Sequence, residues 1–170
     1  MVSRALNLAL RGWQFFCALI VMALIGNMIA TAYAGNPSIV NYDMFVSVFG
    51  MLSLLYLIPT ATFLDSFSFP VVNIALDVLN AIFWFCAAVA TAAYLGVHSC
   101  SNEGYTASNF ITNGSPNREK RCREAQASTA FLFFGWAAFT ATMVFSLLAG
   151  RGNVNMRGGI RRGGPAMSQV

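Results

Sequence analysis

Four long runs of apolar residues, separated by short polar links, set the architecture of the chain. Gly12 to Ala34, Met44 to Leu64 and Ala125 to Ala149 carry no charged side chain, and Pro70 to Val97 carries one, Asp77. They are 23, 21, 25 and 28 residues long in that order, and ~20 residues of helix cross a bilayer. Lipid offers the backbone no hydrogen bonds, so each run must satisfy its own and is predicted to be a helix. The period-two alternation of a membrane barrel is absent. The first run, with Arg4 and Arg11 ahead of it and Ala32-Tyr33-Ala34 near its end, has the outline of a cleavable leader. It is longer than the ~7–15-residue apolar core of such a leader and is read as a span. Asn36-Pro37 ends the first helix, and Pro70 opens the third, where its missing N–H does no harm.

Composition changes the picture only by excluding alternatives. The chain of 170 residues is 57% hydrophobic and 9% charged, with a mean hydropathy of +0.62, whereas soluble domains average ~25% charged. So few charges cannot cover a water-facing surface, and so apolar a chain does not stay disordered. The fold class is therefore all-α integral membrane, an antiparallel four-transmembrane-helix bundle over 1–149. Its helices are expected at about 12–34, 44–64, 70–97 and 125–149, with a loop at 98–124 and a basic Gly/Arg-rich tail at 150–170.

Charge orients the bundle. Arg4, Arg11, Arg151, Arg157, Arg161 and Arg162 flank the side that holds both termini, against Arg118, Lys120, Arg121 and Arg123 on the other. The positive-inside rule therefore puts both termini in the cytoplasm. Cys100 and Cys122 share the long loop, and a disulfide between them is stable only on the oxidising side. Asn113-Gly114-Ser115 in that loop is a glycosylation sequon, weakened by Pro116. A zinc site on His98, Cys100, Cys122 and Glu103 is the alternative use of these cysteines, with too few good ligands.

Asp77 is the sharpest candidate for chemistry, because an ionisable group inside a span costs ~3 kcal/mol or more and marks function by default. Asn73, Asp77 and Asn80 line one helix face as an intramembrane polar stripe, reaching ~15 Å from the cytoplasmic end at Asn80. Tyr56 and Thr142 reach similar depths, ~12 and ~10 Å, on other helices. Gln14 and Arg11 lie nearer the surface, and no cation is expected opposite Asp77 within a span. An interhelical hydrogen-bond cluster is the plainer use of the stripe; an ion or proton relay is the sharper one. Asp43 and Asp65 are read as charges at the ends of the second span. Small residues at Ala88, Ala92 and Gly96, and at Ala137 and Ala141, allow close packing or self-association. Cys17 and Cys86 read as plain buried cysteines. No catalytic constellation or metal site appears, so no enzyme and no cofactor are expected beyond bound lipid or sterol. Arg151, Arg157, Arg161 and Arg162 in the tail can attract anionic lipid at ~1 kcal/mol each. Two RGG-like repeats there are too few to imply nucleic acid.

Several segments resemble the fungal non-classical export protein 2 family, tetraspan membrane proteins with a MARVEL domain. Asn41-Tyr42 with Phe45 and Gly50, Pro70 with Leu76-Asp77-Val78-Leu79-Asn80, and His98-Ser99-Cys100 with Tyr105, Asn109 and Gly114-Ser115 carry the likeness. So do Cys122-Arg123, Ala125-Gln126-Ala127, Ala130-Phe131-Leu132 and the terminal Ser168-Gln169-Val170. The tail departs from the family pattern in its spaced arginines. The resemblance implies a MARVEL-like bundle in the plasma membrane, concentrated in cortical patches. It also implies a sphingolipid-responsive role in eisosomes, beside their BAR-domain scaffold, and an association with leaderless export. Three functions follow: a non-enzymatic microdomain organiser that contacts sphingolipid and anionic lipid and forms homo-oligomers; a small channel or transporter using the polar stripe; or an accessory subunit in non-classical export.

Overall fold

The computed structural model describes residues 4–33, 35–62 and 69–158. Four long helices form an antiparallel bundle: α1 (Arg4–Ala30), α2 (Ser38–Thr62), α3 (Pro70–Leu95) and, after a short α4 (Glu103–Ser108) and a 3₁₀ turn at Thr112–Gly114, α5 (Arg118–Gly158). All four long helices are apolar enough to span a membrane, α5 over Arg118–Leu148. There is no strand among the described residues. α1 and α5 begin eight and seven residues before the uncharged runs, and α5 continues into the basic tail. Arg151 and Arg157 fall on its last turns; Arg161, Arg162, Asp65 and Ser168-Gln169-Val170 lie outside the described residues.

Each helix buries one stripe. On α1 it is Arg11, Gln14, Cys17, Ala18, Val21, Ile25 and Met28, the spacing of threes and fours that keeps residues on one face. α1 packs between α2 and α5, α3 packs chiefly on α5, and α2 and α3 share the smallest of the four seams. Trp84 of α3, wholly buried, fills the centre with its ring 5.3 Å from that of Phe139. It fits because α5 has no side chain opposite: a Cβ on Gly135 would lie 2.2 Å from a ring carbon. The opposite surface of the bundle is apolar, with Trp13, Phe16, Leu52, Leu55, Phe85 and Phe134 exposed. An apolar surface this large belongs against lipid.

Phe69 is extended and Pro70 starts α3, while Gly96 at φ 65° stops it, its N–H bonded to the Ala92 carbonyl. Beyond it the long loop is a folded cap. Cys100 and Cys122 form a disulfide with Cα atoms 5.6 Å apart. The Tyr105 hydroxyl donates to the Leu95 carbonyl, and burial pushes its phenol pKa up. Asn109 Nδ2 donates to the Tyr94 carbonyl at 2.9 Å. Arg121 is 1% exposed and donates to the carbonyls of Ile111 at 2.7 Å and Met28 at 2.6 Å, and to Asn36 Oδ1 at 3.0 Å. One guanidinium thus ties the cap to the end of α1 and to the α1–α2 link. Asn113 sits exposed on the 3₁₀ turn, and the His98 ring lies against Tyr105, centroids 4.6 Å apart.

Candidate functional site

Asp77 is fully buried one-third of the way along α3, and it faces a cation. Arg11 of α1, 3% exposed, donates from Nη1 to Oδ1 at 2.5 Å and from Nη2 to Oδ2 at 2.8 Å. This corrects the sequence reading, which placed Arg11 among the surface charges and no cation opposite Asp77. Helix α1 starts at Arg4 rather than Gly12, so Arg11 lies two turns inside it. It shares the inward face with Gln14, three residues on. The planar guanidinium meets the carboxylate as a two-pronged pair.

α5 completes the cluster. Ser146 Oγ donates to Asp77 Oδ2 at 2.8 Å and Thr142 Oγ1 lies 3.4 Å from Oδ1. Gln14 Nε2 donates to Thr142 Oγ1 at 2.9 Å and to the Ala138 carbonyl at 3.0 Å, and Arg11 Nη1 reaches Gln14 Oε1 at 3.3 Å. Both carboxylate oxygens are engaged and the pair is neutral overall. The arrangement clamps α1, α3 and α5 together near the end of the bundle that holds the termini. It leaves Asp77 no open oxygen for a passing cation.

The structure brings Thr142 to Asp77, and Gln14 into the cluster through Arg11 and Thr142, but not the other expected residues. Asn80 Nδ2 turns back to the Leu76 carbonyl of its own helix at 2.9 Å, and its Oδ1 lies toward Gly50. Tyr56 accepts from the Phe69 backbone N–H at 3.4 Å. Asn73 is half-buried one turn before Asp77. Ser146 and Arg11 are the members that sequence reasoning missed. Their signal was helical register: Ser146 follows Thr142 by four, and Arg11 precedes Gln14 by three.

Asp43 also departs from its reading as a helix-end charge. α2 begins at Ser38, which puts Asp43 on the inner side of its second turn, 1% exposed, accepting from Thr91 Oγ1 at 2.8 Å. Cys17 is wholly buried, as read, but the reading of Cys86 as a buried cysteine is corrected: it is exposed on the outer, apolar face of α3.

Comparison with known proteins fits this bundle. Residues 4–145 match the MARVEL membrane-associating domain. The chain is 36% identical to Non-classical export protein 2 of Saccharomyces cerevisiae, over 95% of each chain. It is 38% identical to Non-classical export protein 102 of Candida albicans, over 96% of this chain and 97% of that one. It belongs to the non-classical export protein 2 family. A homologue from Schizosaccharomyces pombe is 27% identical over 81% of this chain and 74% of its own. No solved structure matches. As a member of this MARVEL family the chain is a multi-pass membrane protein, and the resemblance read from its loop and third span is borne out.

Proposed function

We propose that the protein is a non-enzymatic organiser of fungal plasma-membrane microdomains. Both termini lie in the cytoplasm, and the chain is concentrated in cortical patches beside a BAR-domain eisosome scaffold, where it responds to sphingolipid state. The observation that favours organising over transport is the closed Arg11–Asp77 cluster. A relay needs ligands that open and exchange, whereas here both oxygens of the carboxylate are held, by Arg11 of α1 and Ser146 of α5. A rigid bundle with a broad apolar surface suits a protein that works through the lipid and protein packed around it. Contacts with sphingolipid and anionic lipid, the latter through the tail arginines, and self-association belong to the same reading. The names of the relatives keep an accessory role in non-classical export as the second reading.

The test is live imaging at native expression with the tag on the N-terminus, leaving the tail free. Static cortical patches that coincide with the scaffold and disperse when sphingolipid synthesis is blocked are the expected result. A uniform signal, or patches indifferent to sphingolipid, overturns it. Reconstituted vesicles supply the control: proton or ion flux that vanishes in Asp77→Asn would restore the transport reading.

A further inference from the structure

On the loop side, α1 and the first turns of α5 enclose an open cleft of about 480 Å³. Its floor is apolar, Leu24 from α1 and Ala127 from α5, and its rim is charged, with Glu119, Lys120, Arg123 and Glu124. Two cations and two carboxylates make the rim neutral in sum. They already pair across one helical turn, Arg123 with Glu119 at 2.5 Å and Lys120 with Glu124 at 3.7 Å. The Lys120, Arg123 and Glu119 side chains are 56%, 67% and 51% exposed and Glu124 is 12% exposed; the exposed Arg123–Glu119 pair is weakly held, and the Lys120 ammonium stands 3.7 Å from its partner. Glu124 is fixed in place by Asn27 Nδ2, 2.5 Å from its Oε1.

Below the rim the same α1/α5 face continues as an aromatic band. Phe16 meets Phe131 at 6.2 Å, Phe131 meets Phe134 at 6.2 Å, and Phe134 meets Trp13 at 6.4 Å between centroids. Trp13, Phe16 and Phe134 are exposed. Leu24 lies six residues before the end of α1, ~9 Å along its axis, so the charged rim sits at the membrane interface and the band runs down into the hydrocarbon.

We propose that this cleft binds one zwitterionic phospholipid. Lys120 and Arg123 take the phosphate, Glu119 and Glu124 take the cationic end of the headgroup, and an acyl chain lies along the Phe131–Phe16–Phe134–Trp13 band. A headgroup carrying both charges replaces both surface pairs without stranding any charge. A headgroup with a phosphate and no cation, such as phosphoglycerol, leaves the two carboxylates facing that phosphate with nothing to answer them. A sterol has nothing for either sign, and a soluble peptide cannot follow a band that lies within the bilayer. The proposal deepens the lipid-contacting part of the function proposed above. It rests only on the bundle lying in a membrane, so failure of the imaging experiment leaves it standing.

The test uses the full chain in lipid nanodiscs doped with phosphatidylcholine or phosphatidylglycerol carrying a photoactivatable group on the acyl chain. Crosslinks are located by peptide mass spectrometry, which separates this face from the tail at the other leaflet. Expected is labelling of the segments holding Leu24 and Ala127 at least tenfold greater with the choline lipid than with the glycerol lipid. Lys120→Ala with Arg123→Ala lowers the choline labelling tenfold or more. Glu119→Lys, at a half-exposed position where folding is not at stake, raises the glycerol labelling to at least that of the choline lipid. Equal labelling by both lipids, preference for the anionic one in the unaltered chain, no labelling at this face, or indifference to these substitutions overturns the proposal.

Discussion

The Arg11–Asp77 pair is where a single side chain matters most. Removing one partner leaves the other charge buried alone, which costs ~3–5 kcal/mol, whereas an apolar pair of similar volume is often tolerated. Arg11→Ala and Asp77→Asn are therefore each expected to lower the thermal midpoint of the purified protein sharply. Arg11→Met combined with Asp77→Leu should recover most of the loss; a double variant as unstable as the sum of the singles would contradict the pairing. Gly135 offers a second test. A methyl group there meets the Trp84 ring at 2.2 Å, and overpacking of this kind costs ~1–3 kcal/mol. At Gly12, where nothing lies within 4 Å, alanine should be neutral or stabilising by up to ~1 kcal/mol, since it is the better helix former. Counting residues along a helix sets the depth of Asp77, with Thr142 and Tyr56 at its level and Gln14 nearer the surface. Depth says nothing of direction around the axis. That is why Tyr56, at the right height, bonds elsewhere, and why Arg11 was set aside once a charge was taken as the edge of a span.

Among the elements, the cap over 98–124 was the least legible. Its helix has six residues and its 3₁₀ turn three, too short for any hydrophobic period to register. What could be read was the cysteine pair, because two cysteines in one loop of a membrane protein have few other uses. Opening that bond by Cys100→Ser with Cys122→Ser is expected to cost ~3 kcal/mol on the chain-entropy account. Faster proteolysis of the cap would report it. Arg121→Ala should loosen the cap comparably, because it strands the carbonyls of Ile111 and Met28, and a buried unpaired polar group costs ~1–3 kcal/mol. Arg123→Ala, from an exposed pair, should change the proteolysis rate little. Equal effects of the two would count against Arg121 as the anchor. The long helices were legible as spans but not at their ends, since long cationic side chains extend out of the apolar layer while their backbone remains helical.

For the whole molecule, the expectation to check is orientation. Trypsin added to intact protoplasts is expected to cut at the exposed Arg118, Lys120 or Arg123 once the disulfide is reduced, while an N-terminal tag stays intact. The reverse pattern would invert the bundle. Thiol reagents should label Cys100 and Cys122 only after reduction, and Cys17 only on unfolding. The number of helices and their antiparallel order followed from the four apolar runs and the short links between them. How the helices sit against one another did not, because it depends on single fits such as Trp84 against Gly135 that leave no pattern along the chain.

The ion pair also has a consequence for synthesis. Arg11 emerges on the first helix, its carboxylate on the third, and Thr142 and Ser146 only with the last. Until α3 is in place the nascent chain holds a cation two turns inside a helix with nothing to neutralise it, and until α5 arrives the cluster lacks one wall. Completeness of the polypeptide is thus encoded in the membrane interior itself. A truncated product displays an unmatched polar face within the bilayer, the kind of flaw by which an unfinished membrane protein is told from a finished one.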